Sequence, residues 1–219
     1  KPKMENARTK ISTKRGETLI EVMAALTCLV LAGMSAVTVA LQVMSTTAVS
    51  KEYLIAQNLA REGIEAVVNI RDTNWLNHPA EKDECWMIMA SNGNCAVADK
   101  VKDEALGNEH YIMTREDNGQ IILESNGVGK LEILDGQTPE AGSDGLFKLY
   151  VDESGLYSHD DGVDMMAPYP YPEFYRMITF EADPLVLDEM KINVLVQWMH
   201  KGSIPKRYEL SSIITNYAN

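Results

Sequence analysis

The run Arg15-Gly16-Glu17-Thr18-Leu19-Ile20-Glu21-Val22-Met23-Ala24-Ala25-Leu26, apolar onward to Met44, decides how this chain reads. No charged side chain follows Glu21 until Lys51. The segment Val22 to Met44 exceeds the roughly 20 residues needed to cross about 30 Å of hydrocarbon, so it reads as a membrane span. Its front edge is unusual, because basic residues lead to a glycine and then to one acid set inside the apolar run. A carboxylate there costs roughly 2.5 to 3.5 kcal/mol on insertion scales, so Glu21 demands a partner or a function.

Upstream of this run the charge is of the opposite sign to the rest. Residues 1 to 15 carry six Lys or Arg and one acid, a charge of +5, which leaves −17 on the remainder of a chain whose total is −12. Basic flanks stay cytoplasmic, which places the acidic bulk outside the cell membrane. Such a bulk disfavours a nucleic-acid-binding ectodomain on overall charge, although a local basic patch would still allow DNA contact. The leader is not a secretory signal, whose cleavage site follows its apolar core; here a cut would precede the core. Met4 is the expected initiator.

Gly16, Thr18, Leu19, Ile20, Glu21, Val22 and the Ala24-Ala25-Leu26 that follows resemble the processing segment of type IV pilins and pseudopilins. The resemblance covers about a tenth of the chain. It implies a membrane prepilin peptidase that cuts between Gly16 and Glu17 on the cytoplasmic side, and methylation of the freed amine. It also implies that Glu21 pairs with the amine of a neighbouring subunit during filament assembly on a membrane platform. Glu17 departs from the family, which usually has Phe or Met at the first mature position. Leu26, Leu31 and Gly33 are the expected membrane-packing positions, Gly33 being either a point where the helix melts or a close helix contact.

Beyond the span the helix is expected to continue. Ala56, Leu59, Gly63, Val67 and Ile70 recur in steps of three and four and mark one face, which Ala60 and Ile64 widen. Gly33 and Gly63 are the weakest points, each costing about 1 kcal/mol relative to Ala. The run Asn58 to Trp75 is also similar to pilin-type sequences of small-genome bacteria, a resemblance that ends the helix near Asp72 and starts the ectodomain core at Trp75. The resulting division is a basic leader over 1–16, a long helix over 17–74 with its span at about 22–44, and an extracellular β-rich head over 75–219.

Within the head, Tyr111-Ile112-Met113 and Ile121-Ile122-Leu123 flank Asn118-Gly119, a hairpin signature. A second hairpin joins Leu146 to Val151 and Leu156-Tyr157 through Asp152-Glu153-Ser154-Gly155. Tyr175 to Ala182, Met190 to Met199 and Arg207 to Thr215 read as an antiparallel meander. Its middle strand alternates Ile192, Val194, Val196 and Trp198 with Asn193, Leu195 and Gln197, giving one apolar and one mixed face. The Val-x-Val-x-Trp pattern resembles the close of minor pilins and pseudopilins. The expected class is α+β: a long N-terminal helix, half membrane-spanning and half amphipathic, packed on a C-terminal antiparallel sheet in the manner of a type IV pilin.

Cys28 lies within the span, where a thiol behaves as a small hydrophobe. Cys85 and Cys95 bracket an Asn-Gly turn and are the candidate disulfide of an extracellular domain; two unpaired thiols are the competing reading. Enzyme signatures are absent, with no P-loop, His-Glu-x-x-His, Gly-x-Ser-x-Gly or dinucleotide glycine pattern, and a non-enzymatic chain is expected. His78, His110, His159 and His200 are each read as solvated loop residues. Asp160, Asp161 and Asp164 offer oxygen ligands that Ca²⁺ would accept, against the plainer reading of a solvated acidic turn with no cofactor. Tyr169-Pro170-Tyr171-Pro172, with Phe174 and Tyr175, is either a covered loop or an exposed adhesive surface.

Three functions follow. One is a structural subunit of a type IV pilus, a homo-oligomeric filament serving adhesion, twitching motility, host-surface attachment or DNA uptake. Another is a low-copy minor pilin or type II secretion pseudopilin that initiates or caps a filament. The least favoured is a single-pass membrane-anchored enzyme or receptor. For the first two, the precursor resides in the inner or cytoplasmic membrane and the assembled form on the cell surface.

Overall fold

The computed structural model describes residues 17–87, 110–115, 121–125, 147–151, 157–159, 172–182, 188–200 and 204–216. Helix α1 runs from Glu17 to Asn77, and a single helical turn, α2, from Lys82 to Cys85. Seven strands follow: β1 (His110–Arg115), β2 (Ile121–Ser125), β3 (Tyr150–Val151), β4 (Tyr157–Ser158), β5 (Phe174–Ala182), β6 (Glu189–His200) and β7 (Ile204–Thr215). The chain divides into two compact units, one ending at Ala48 and the other spanning Val49–Asn219.

In the first unit, the absence of proline after the leader lets one helix persist from Glu17 onward. Its residues from Thr18 to Thr47 are exposed all the way round. All three hydroxyls between Val22 and Met44 donate back to carbonyls of their own helix: Thr27 to Met23, Ser35 to Ala32 and Thr38 to Ser35, each at 2.8 Å. The helix is long and apolar enough to cross a membrane.

In the second unit, the helical portion from Val49 carries the expected small and apolar stripe. Ala56, Leu59, Ala60, Ala66, Val67 and Ile70 are buried against the sheet. The helix ends at Asn77, beyond the expected Asp72 to Asn74 boundary. His78 donates its backbone N–H to the Asn74 carbonyl at 2.9 Å, closing the last turn. Pro79 then stops the helix, because a residue preceding proline is pushed out of the α region. Trp75 therefore belongs to the helix itself, where Arg71 lies 4.7 Å over its ring.

The sheet is antiparallel with strand order β2-β1-β5-β6-β7. The last three strands form the expected meander, with Ile178 opposite Val194 and Val194 opposite Leu210. The first hairpin pairs Met113 with Leu123 and joins the meander beside β5, where His110 faces Thr179 and Tyr111 faces Ile178. Strands β3 and β4 form a separate two-stranded pair. The turns at 116–120 and 152–156 lie outside the described residues.

Alternation along β5 and β6 separates two cores. Phe174, Ile178, Phe180, Met190, Ile192, Val194, Val196 and Trp198 face α1. On the other face Ile112, Phe147, Tyr175 and Met177 form a smaller buried cluster against Leu195. Phe174 and Tyr175 are thus buried strand residues on opposite faces, rather than part of an adhesive loop; Tyr169 to Tyr171 lie outside the described residues.

Gly63 acquires a role that its low helix propensity concealed. A Cβ built there would meet Val194 Cγ1 at 3.0 Å and Cγ2 at 3.3 Å, so the missing side chain is what lets helix and sheet approach. A Cβ built at Gly33 would meet no described atom within 4 Å beyond its own stretch of helix. Gly63→Val will therefore lower stability by about 1 to 3 kcal/mol through overpacking. Gly33→Ala will be neutral or slightly stabilising through helix propensity. Thermal unfolding of the detergent-solubilised chain, followed by near-ultraviolet circular dichroism, distinguishes the two; equal melting temperatures for both variants would refute the close-approach role.

Candidate functional site

Two sets of residues compete for attention: the N-terminal helical segment singled out by sequence, and polar groups buried where α1 meets the sheet. Gly16 lies outside the described residues, and Glu17 opens α1. Glu21 stands one turn further on, exposed, and makes no hydrogen bond or ion pair with a described residue. Around it Leu19, Ile20, Val22 and Met23 are exposed apolar side chains, as are Leu26 and Leu31 further along. The hydroxyls of Thr27, Ser35 and Thr38 are satisfied within the helix, and Glu21 is the one charged group among the described side chains of this unit. Cys28 is a free exposed thiol.

The buried polar groups escaped the sequence reading. Arg176 occupies a helix-facing position of β5, between Phe174 and Ile178, and its side chain is 0% exposed. Its Nη1 donates to Glu62 Oε2 at 2.8 Å and to the Leu59 carbonyl at 3.3 Å. Its Nε and Nη2 are buried without a hydrogen-bond partner. Burial pushes the Arg176 guanidinium below its ordinary value, while the charge and hydrogen bond of Glu62 pull it back. The one signal available beforehand was an arginine standing at an apolar-face position of a strand.

A second constellation joins Glu52 on α1 to the end of β6. Trp198 Nε1 donates to Glu52 Oε2 at 3.0 Å, and His200 Nδ1 lies 2.7 Å from the same oxygen. The side chains of His200 and Glu52 are only 7% and 14% exposed. The Tyr53 ring meets Trp198 edge-on at 4.9 Å. His200 is therefore no solvated loop residue, because β6 extends to it and pairs it with Ile204. His159 is buried as well, its Nδ1 3.2 Å from the Lys148 carbonyl oxygen.

On the sheet's other face a polar ladder crosses three strands. Lys191 Nζ and Asn193 Nδ2 donate to Glu181 at 2.8 and 2.7 Å, and Ser211 Oγ donates to Asn193 Oδ1 at 2.7 Å. The hydrogen bond from Lys191 holds the Glu181 carboxyl below the usual carboxylate range against the opposing effect of burial, with the Lys191 charge and the Asn193 hydrogen bond adding to it. These groups saturate one another, and no nucleophile or general base is set apart among them.

Cys85 is buried and disulfide-bonded, and Cys95 lies outside the described residues. Asp160, Asp161 and Asp164 also lie outside them. Among the described residues no group of three or more His, Cys, Asp or Glu side chains is placed to hold a metal ion. No family model, curated protein or solved structure matches the chain.

Proposed function

We propose that this chain is a subunit of a type IV pilus or a related filament, inserted in the membrane as a prepilin and cleaved after Gly16. The observation that carries the reading is the pairing of an apolar helix, exposed on every side from Thr18 to Thr47, with a single unpartnered carboxylate at Glu21. Lipid covers such a surface before assembly, and copies of the same helix cover it afterwards. The role of the acid is then to meet the amine of Glu17 on an adjacent subunit, opposite charges favouring one another strongly in a low-dielectric core. The fold supports this division of labour, since the second half of α1 is packed on an antiparallel sheet while the first half is left apolar and exposed.

On this reading a membrane prepilin peptidase and an assembly platform are the partners, and the mature chain resides in a surface filament. A low-copy minor pilin or pseudopilin is the second reading, favoured by the Val-x-Val-x-Trp pattern, here Val194, Val196 and Trp198 in β6 before the final strand. Mass spectrometry of the chain from native cells is expected to find a mature N-terminus at Glu17, with or without a methyl group. A retained leader in assembled material would overturn the processing step.

A further inference from the structure

The Glu52 contact fixes one end of the second unit. It holds the start of the helical portion against the end of β6 and, through the pairs Trp198 to Lys206 and His200 to Ile204, beside the start of β7. Two acids at this end are already engaged. Glu52 is held by His200 and Trp198, and Glu173, next to the Phe174 that pairs with Trp198, accepts from Lys148 at 2.7 Å and Tyr175 at 3.0 Å. The cations Lys51, Lys206 and Arg207 make no ion pair with a described residue. Elsewhere in this unit only Arg61 and Lys82, among the described side chains, are cations in that condition. Among the described side chains of this unit, three of the five uncommitted cations thus stand at one end.

Exposed apolar groups accompany that charge. Tyr53 and Leu54 are exposed directly beside Lys51. Lysine with tyrosine is the combination that settles at a membrane interface, apolar stem and ring inward and polar tip in water. Lys51 follows Met44 by only seven residues, a tether of at most about 25 Å even if fully extended. We infer that this end of the head, carrying Lys51, Tyr53, Leu54, Lys206 and Arg207, is a docking surface for anionic phospholipid headgroups. It rests on the reading of Val22 to Met44 as a span. Charge complementarity selects the occupant: anionic headgroups attract free cations, and an acidic protein surface held this close to the bilayer would otherwise be repelled. Docking would hold the unassembled subunit against the membrane until it is extracted.

The test uses the full chain in nanodiscs of phosphatidylcholine alone or with about one third phosphatidylglycerol, read by hydrogen exchange and mass spectrometry. Peptides covering 49–55 and 204–210 are expected to exchange more slowly in the anionic discs. The combined Lys51→Gln, Lys206→Gln and Arg207→Gln variant should abolish that difference, the ratio of docked to free head falling about a hundredfold at about fivefold per residue. An Arg61→Gln, Lys82→Gln variant should retain it. Equal exchange in both lipids while 22–44 stays protected would overturn the docking surface alone, as would a difference that survives the triple substitution. Unprotected amides over 22–44 in both lipids would overturn the span and the docking surface together.

Discussion

Glu21→Gln will leave leader cleavage and folding of the head intact and reduce incorporation into filaments by about a hundredfold. The first half of the expectation follows from position: Glu21 is exposed and bonded to no described residue, so its loss removes no contact from the core. The second half follows from the proposed pairing with the Glu17 amine of a neighbour. Removing one member of a desolvated pair strands the other at a cost of about 3 kcal/mol, and every 1.4 kcal/mol is about tenfold in an equilibrium. Glutamine keeps the shape and most of the helix propensity, which isolates the charge. Glu17→Ala should be milder, since the amine that Glu21 requires belongs to the backbone. Immunoblots of sheared surface material against whole cells measure the ratio directly. Wild-type incorporation of the Glu21→Gln chain would transfer the assembly role to apolar packing.

The other large effect lies inside the head. Glu62→Gln will destabilise it by about 3 kcal/mol, because the fully buried Arg176 guanidinium loses its counter-charge. The lower end of the usual range applies, since the Glu62 side chain is 40% exposed and water screens part of the pair. For a unit of this size the melting temperature should fall by about 6 to 12 °C. The direction of the Arg176 shift sharpens the expectation. A cation whose pKa falls on folding has its charged form disfavoured in the native state, so the charge on Arg176 is incompletely compensated even with Glu62 present. Replacing both, as Glu62→Leu with Arg176→Met, should recover at least the wild-type melting temperature. A double variant as unstable as Glu62→Gln would mean that the pair, and not its imbalance, stabilises the head.

Most of the architecture was legible because it rests on periodicity. Charge-free length announced a long helix apolar enough to cross a membrane, a stripe in steps of three and four announced the helix face, and alternation along 190–199 announced a strand with two faces. The partnership of the first hairpin with β5 was not legible, since Tyr111 beside Ile178 is a long-range contact that no local pattern encodes. Buried polar groups were missed for a related reason. His200 follows a strand and precedes a glycine-containing turn, which reads as solvent, and only the return of the helix carrying Glu52 turns it inward. Gly63 was weighed by propensity alone, while its meaning depends on Val194, over a hundred residues away. The proposed assembly segment stands out in the sequence, because a carboxylate inside an apolar run is conspicuous without any fold.

The hydroxyls folded back onto α1 carry a further consequence. With Thr27, Ser35 and Thr38 each spent on a carbonyl of the same helix, the segment turns an almost purely hydrocarbon coat outward, apart from the Gln42 amide near its end. Such a coat hardly distinguishes lipid tails from neighbouring helices. Moving it from bilayer to filament is then close to a change of like solvents, with few polar bonds to break on leaving or to remake on arrival. It also leaves sliding along the axis almost unresisted, so the axial register of adjacent subunits in the proposed filament falls to Glu21 and to whatever the heads make of one another.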